Sequence, residues 1–199
     1  MSKNLAFYLC LFLAVPNFCR AAITIHMAEV GSNVVATLSG AINTLPGAPT
    51  QSGNAGVFSG VRPSGGTMVF GFSKFSGIST IQMNYYTATN YPSNFGSSTS
   101  LLQADSSTAS TTMTFRNLSS NNILIDPNYV PGTAVTGTLT WNNKTFSSMG
   151  VATGSYVWGW SSDSITLNIV PEPSALSLLA VGMAGMVALR RVRRNNGGR

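Results

Sequence analysis

Three aromatic residues at alternate positions form the most prominent candidate binding surface in the sequence: Tyr156, Trp158 and Trp160. Side chains at alternate positions of a β-strand lie on the same face of the sheet. An exposed row of this kind would be a platform on which sugar rings stack, whereas a buried row would be part of the core. Because no other strand is rich in tryptophan, burial is favoured. A second group beside a predicted loop is the alternative platform: Tyr85, Tyr86 and Tyr91.

The sequence contains few residues of the types that enzymes use for catalysis. His26 is the only histidine, so a Ser–His–Asp triad would depend on it, and no Gly-x-Ser-x-Gly segment supports a nucleophile. Hydrolysis of a glycoside would need two carboxylates roughly 5–10 Å apart. The body of the chain offers isolated acids for this role: Glu29, Asp105, Asp126 and Asp163. We therefore expect a non-catalytic protein, with a secreted glycoside hydrolase as the third hypothesis.

Metal, cofactor and nucleic-acid binding are not expected from the composition. The isolated aspartates favour turn capping, with a calcium ion held by one of them and loop carbonyls as the alternative. The chain has 11 Lys and Arg against 5 Asp and Glu, but residues 22–170 contain four of each. The net charge of +6 therefore belongs to the two ends. A nucleic-acid interface needs clustered basic residues, which the body lacks.

The first 21 residues have the features of a secretory signal peptide. Lys3 precedes an apolar run of eleven residues, 5–15. Small residues follow, so we predict export through the Sec translocon and cleavage by signal peptidase after Ala21 or Ala22. Both cysteines lie within residues 1–21. The mature chain then has no disulfide and no thiolate site, and it depends on core packing for stability.

The C-terminal end has three parts in order. The first is an acidic segment flanked by prolines, at 170–174: Val170, Pro171, Glu172, Pro173 and Ser174. The second, residues 174–189, is apolar and would span about 24 Å as a helix, against a hydrocarbon core of roughly 30 Å. The third is a cluster of arginines: Arg190, Arg191, Arg193 and Arg194. These features predict one transmembrane helix in the lipid bilayer, with the arginines and the tail 195–199 in the cytoplasm and the body outside.

The two prolines keep the acidic segment out of the helix. Proline disfavours helical backbone in the residue before it, so Val170 and Glu172 are predicted to be extended. A protease can bind an extended backbone whose hydrogen-bonding groups are unpaired. Glu172 is the only charge beside the outer face of the membrane, which makes it a candidate recognition residue.

Taken together, these parts resemble the PEP-CTERM sorting signal over residues 170–194. The resemblance implies recognition by exosortase, a membrane enzyme similar to cysteine transpeptidases, which removes the tail and passes the body to the cell surface or extracellular matrix. It also implies a Gram-negative host that makes exopolysaccharide. The first hypothesis is therefore a surface or matrix protein anchored for a time in the inner membrane. The second is an adhesive or exopolysaccharide-binding module that uses an exposed aromatic row. Two stretches of the body, Thr24–Gly40 and Val135–Ile169, are similar to short PEP-CTERM proteins with no assigned activity.

The body, residues 22–169, is predicted to be an all-β exported domain. Apolar and polar residues alternate in several segments, among them 23–27 and 165–169. Turn-forming residues separate these segments, and no helical pattern precedes Ser174. The pattern favours an antiparallel β-sandwich or a jelly roll. Two stretches rich in Gly, Ser, Thr and Asn are interpreted as long loops: 46–66 and 87–110.

Overall fold

The computed structural model describes residues 22–56, 58–71 and 80–171. These ranges contain one short α-helix, α1 (Phe146–Met149), a 3₁₀ turn at Pro63–Gly65, and thirteen strands. In chain order the strands are β1 (Ile23–Val30), β2 (Asn33–Gly40), β3 (Gln51–Gly56), β4 (Gly60–Arg62), β5 (Thr67–Phe70), β6 (Thr80–Tyr86), β7 (Leu102–Gln103), β8 (Ser106–Ala109), β9 (Met113–Phe115), β10 (Ile123–Ile125), β11 (Val135–Trp141), β12 (Gly154–Gly159) and β13 (Ser164–Val170). The predicted all-β class is confirmed for this part of the chain, whereas the predicted signal peptide, residues 1–21, lies outside it.

The first sheet has six strands in the order β12-β13-β1-β2-β11-β8. Its neighbours are antiparallel except for β1 and β13, which are parallel, with Ile25 beside Leu167. The expectation of a purely antiparallel sandwich was therefore wrong at this pair. Alternation shows which side chains share a face, but it contains no information on the direction of a partner strand that lies about 140 residues away.

The second sheet has seven strands in the order β3-β6-β10-β9-β5-β4-β7, and every neighbouring pair is antiparallel. One of its faces contributes to the main core. Its other face carries a smaller cluster of buried side chains, formed by Met83, Tyr85 and Leu124 with Ile81 packed against them. The second sheet is thus apolar on both faces, at least around β6 and β10.

Inward-pointing residues of the two sheets form one hydrophobic core. The apolar residues at 23, 25 and 27 are buried, while His26 is exposed on the opposite face of β1. The rings of Phe115 in the second sheet and Trp158 in the first lie 5.8 Å apart between centroids. The period-two segments therefore face the core as predicted, because a half-buried strand hides every second side chain.

The interpretation of 46–66 and 87–110 as long loops was wrong in part. β3 and β4 lie within the first stretch, and β7 and β8 within the second. These strands are only two to six residues long, and small polar residues dominate β3 and β8. They are held by backbone pairing with longer strands, β6 for β3 and β11 for β8. Such pairing leaves no hydrophobic alternation in the sequence.

The helix α1 corrects the expectation that no helix precedes the C-terminal segment. Its N-terminus has a capping box, in which Thr145 Oγ1 accepts the Ser148 N–H (3.1 Å) and Ser148 Oγ accepts the Thr145 N–H (2.9 Å). Gly150 ends the helix in the left-handed conformation, with φ of 61°. Four helical residues are too few to show a 3.6-residue period, so only the capping residues could have indicated it.

The hydroxyl of Tyr129 connects two loops. It accepts the Ile42 N–H (2.8 Å), and its own proton reaches the carbonyl of Ile42 (3.1 Å) or Thr133 (3.0 Å). Burial raises the pKa of this phenol, the hydrogen bond to Ile42 opposes that change, and the charge of Asp163 adds to it. The neutral form is therefore the one that the fold favours.

Tyr129→Phe is expected to lower the free energy of unfolding by about 1 kcal/mol at pH 7, because the hydrogen bonds to the Ile42 backbone are lost. A folded-state pKa above the usual value of about 10 means that this stabilisation is present below pH 10 and is lost as the pH rises through the folded-state pKa. Urea denaturation at pH 7 and above pH 10 should therefore show the gap between the two proteins closing. In Tyr91→Phe, the matched control, stability should be unchanged, since the Tyr91 hydroxyl has no hydrogen bond within the described residues. An equal gap at both pH values would contradict the expected pH dependence.

Candidate functional site

The predicted sorting segment begins inside the folded sheet. Val170 is the last residue of β13 and pairs with Ala28 of β1, while its side chain is 43% exposed. Pro171 follows as an exposed residue outside the strand. Proline has no N–H to donate, so the ladder ends where the proline-flanked segment starts. The rest of the predicted motif, Glu172 and Pro173, lies outside the described residues.

The parallel pairing of β1 and β13 separates the two ends of the body. Ile23 lies beside Ile165, whereas Val170 lies beside Ala28, five residues further along β1. At about 3.3 Å per residue, these two levels of the sheet are roughly 17 Å apart. The predicted signal-peptidase site and the predicted sorting segment are therefore at opposite ends of the first sheet.

Pro171 emerges from one end of the first sheet, which we call the exit face. It is formed by Val170, the turn between β1 and β2, and the turn at 142–144 after β11. Val30 is 52% exposed there, and Lys144 is exposed as well. The face thus presents two valines and one cation beside the start of the sorting segment.

The carboxylates of the body hold backbone turns. Glu29 accepts the N–H of Phe146 at the start of α1, and Asp105 accepts the N–H of Asn142 (2.8 Å). The other two do the same elsewhere: Asp126 accepts the N–H of Asn128 (2.8 Å), and Asp163 accepts that of Asn43 (2.8 Å). No group of three or more His, Cys, Asp or Glu side chains that could hold a metal occurs among the described residues. These carboxylates are thus occupied by turns, in agreement with the turn-capping interpretation.

The aromatic row at 156, 158 and 160 lies against the core, as the favoured interpretation of burial expected, and the alternative of an exposed platform is wrong. Trp158 is fully buried and Trp160 is 8% exposed. Their indole N–H groups donate to backbone carbonyls, Trp158 to Arg116 (3.3 Å) and Trp160 to Thr44 (2.6 Å). Tyr156 is partly buried and packs its ring against Phe95, at 5.7 Å between centroids. The row faces the core, so it is not a surface on which sugar rings could stack.

One surface was missed by the sequence-based site hypotheses. The outward side chains of the first sheet are mostly threonine, serine and other small uncharged residues, as in the alternate threonines at 136, 138 and 140 of β11. That alternation was visible in the sequence. What it could not show is the register that aligns these residues with polar residues of the five other strands.

The described residues include no helix that is both long and apolar enough to cross a membrane. The predicted transmembrane segment 174–189 and the predicted stop-transfer arginines lie outside the described residues: Arg190, Arg191, Arg193 and Arg194.

Comparison with known proteins supplies the identity of the C-terminal segment. The family model of the PEP-CTERM protein-sorting motif matches residues 170–194. No curated protein and no solved structure matches the chain. The match starts at Val170, the residue at which β13 ends. Residues 170–194 thus match a PEP-CTERM sorting signal, and a signal of this kind implies export, a transient membrane anchor and exosortase as the processing partner.

Proposed function

We propose that the chain is a non-catalytic surface or extracellular-matrix protein. It crosses the inner membrane through the Sec translocon, loses residues 1–21 to signal peptidase, and is anchored by a helix at 174–189 with its arginines in the cytoplasm. Exosortase then cleaves within 170–174 and passes the β-domain to the cell surface. The observation that carries this proposal is that the matched sorting motif starts where β13 leaves the sheet.

The position of β13 sets the order of folding and processing. β13 lies between β12 and β1 and is hydrogen-bonded to both. The first sheet is therefore complete only after Val170 has crossed the membrane. Once folded, β13 cannot be drawn back without breaking two ladders. A cut beyond Val170, in contrast, leaves every strand in place, so the released domain stays folded.

The short connection also places the domain near the membrane. Three residues, 171–173, separate the end of β13 from the predicted helix. Fully extended, they reach about 10 Å. The exit face therefore stands close to the lipid headgroups while the tail is intact, and exosortase has to reach its substrate in this gap. Val30 and Lys144 are then the nearest body residues to the enzyme and the bilayer.

Support for a non-catalytic role comes from the carboxylates. Retaining and inverting glycosidases need two free carboxyl groups that face one substrate. Glu29, Asp126 and Asp163 each accept a backbone N–H at a different turn. His26 lies on the exposed face of β1, between Thr37 of β2 and Asn168 of β13. This arrangement favours a structural or adhesive role over hydrolysis.

The test is the intact mass and the membrane fractionation of the protein from its native host. We expect a chain that starts at residue 22 or 23, ends within 170–174, and is found in the surface or extracellular fraction. A chain that keeps the mass of residues 174–199 and stays in the membrane fraction would overturn the sorting proposal. It would leave a β-domain with a permanent C-terminal anchor.

A further inference from the structure

The outward face of the first sheet is a regular array of small polar side chains. The strand register aligns one residue from each of the six strands into a row that crosses the whole sheet. We call it the central row: Ser155, Asn168, His26, Thr37, Thr138 and Thr108. All six side chains are exposed or half-buried. The row contains four hydroxyls, one amide and one imidazole, so each strand contributes one hydrogen-bonding group to it.

A second row runs parallel to the central row and is displaced from it by two residues along each strand. The register places Thr166 beside Thr24, Thr24 beside Ser39, and Ser39 beside Thr136. The hydroxyls of these two rows form no side-chain hydrogen bonds within 22–56, 58–71 and 80–171. These side chains are exposed or half-buried on the outward face of the sheet, where a ligand can reach them. We use the name hydroxyl face for the central row together with this second row.

The chemistry of the hydroxyl face restricts the partner. Neither row contains Lys, Arg, Asp or Glu, so an anionic polymer or a nucleic acid has no counter-charge there. Val157, which the register places beside Thr166, is the one large apolar side chain in line with either row, and a single half-buried valine gives a lipid surface or a hydrophobic protein patch little to bury. A partner that presents many uncharged donors and acceptors is the best match, since each of its groups can pair with one on the sheet.

The spacing of the groups also favours an extended polyol. Neighbouring strands lie about 4.8 Å apart, which is close to the length of one pyranose unit. A linear glycan lying across the strands would therefore meet one hydrogen-bonding side chain per sugar. The second row ends at Thr136. The N–H of this residue donates a hydrogen bond to Ser110 Oγ (3.0 Å). Beside Ser110 lies a cleft of about 320 Å³ lined by Asp126, Asn128 and Tyr129, which has room for a terminal or branching sugar.

We propose that the hydroxyl face binds an extended, uncharged polysaccharide, with the chain running across the six strands of the first sheet. This inference rests on the surface location proposed above, where an exported domain meets extracellular polysaccharides. It assigns the same class of ligand to this surface and not to the aromatic row, which is buried. Binding in solution does not depend on processing, so its failure and the failure of the sorting proposal are distinguishable.

The test uses the full chain, purified in detergent, and affinity electrophoresis in gels that contain a linear neutral glucan, a neutral glucomannan or the polyanion alginate. We expect retardation by at least one neutral polymer and none by alginate. Retardation should be unchanged between about 0.1 and 1 M salt, since no charge pair contributes. Among neutral oligosaccharides, calorimetry should show affinity that rises with length up to about six units, one for each strand spaced about 4.8 Å apart.

The double variant Thr37→Val, Thr138→Val isolates the hydroxyls of the central row. Valine keeps the β-branched shape, so the sheet should fold as before. Loss of two hydrogen bonds of about 1 kcal/mol each predicts binding weaker by on the order of tenfold or more. Thr99→Val, at an exposed loop position outside the first sheet, is the control and should bind as the unmodified chain does.

Three outcomes would overturn the proposal. The first is no binding of any neutral polymer by the unmodified chain. The second is equal binding by the double variant and the unmodified chain, when circular dichroism shows both folded. The third is that sedimentation shows a dimer of the chain that the double variant dissociates, because the hydroxyl face would then be a contact between two copies.

Discussion

Replacement of Glu172 by alanine is expected to leave the tail on the protein. Glu172 is the only charge in the segment that joins the end of β13 to the predicted membrane helix. If exosortase recognises this carboxylate, its removal costs a charge-assisted hydrogen bond of about 1.5–3 kcal/mol. The rate of processing should then fall about ten- to hundredfold. Intact mass and fractionation in the native host measure this, because the variant should keep residues 174–199 and stay in the membrane.

The control for this variant lies in the same predicted tail but beyond the arginines. Asn195→Ala changes a residue outside the matched motif, which ends at 194, and it should be processed as the unmodified chain is. If Glu172→Ala loses its tail at the normal rate, Glu172 is not the recognition residue. If both variants keep the tail, the effect belongs to the tail as a whole and not to the acidic residue.

Trp158→Ala is expected to lower the free energy of unfolding by about 3–5 kcal/mol, as for other large aromatic residues in cores. Trp158 is fully buried, packs against Phe115, and donates its indole N–H to the Arg116 carbonyl. The substitution leaves a cavity between the two sheets and an unpaired acceptor. Because small domains have about 5–15 kcal/mol of stability in total, the loss is a large fraction of it. The shift of the urea midpoint measures the effect.

Val157→Ala is the matched control, on the same strand. Val157 is partly exposed on the outward face of β12, so its truncation should cost less than about 1 kcal/mol. The comparison also separates the two interpretations of the aromatic row. A Trp158→Ala protein that unfolds at the normal urea concentration but loses affinity for polysaccharide would support an exposed platform. We expect the reverse, with stability lost.

An insertion directly after β13 and a change within β13 should affect the first sheet differently. A spacer inserted between Val170 and Pro171 would leave β13 paired with β1 and β12, because the strand ends there. Changes within β13, in contrast, affect a strand that is hydrogen-bonded to a neighbour on both sides. The last strand of the body thus ends where the sorting motif begins, since the match to the motif starts at Val170.

Local features of the sequence were enough to predict the sorting signal and the fold class. The order of a proline-flanked acid, an apolar stretch and an arginine cluster can be recognised without a fold, and the match to 170–194 confirms it. Period-two alternation at 23–27 and 165–169 predicted strands and their buried faces, because one strand shows its own two sides in its sequence. The same local information could not reveal short strands such as β3 and β8, whose pairing leaves no pattern.

Only the tertiary structure determined which strands pair and which side chains pack against one another. Alternation placed Tyr156, Trp158 and Trp160 on one face of a strand but did not determine whether that face meets solvent or the second sheet. Packing against Phe115 buries Trp158, and the parallel pairing of β1 with β13 brings His26 beside Asn168. Each strand's sequence determines which residues share a face. The register between distant strands, which is set by packing over the whole core, determines that six separate polar residues become one continuous row.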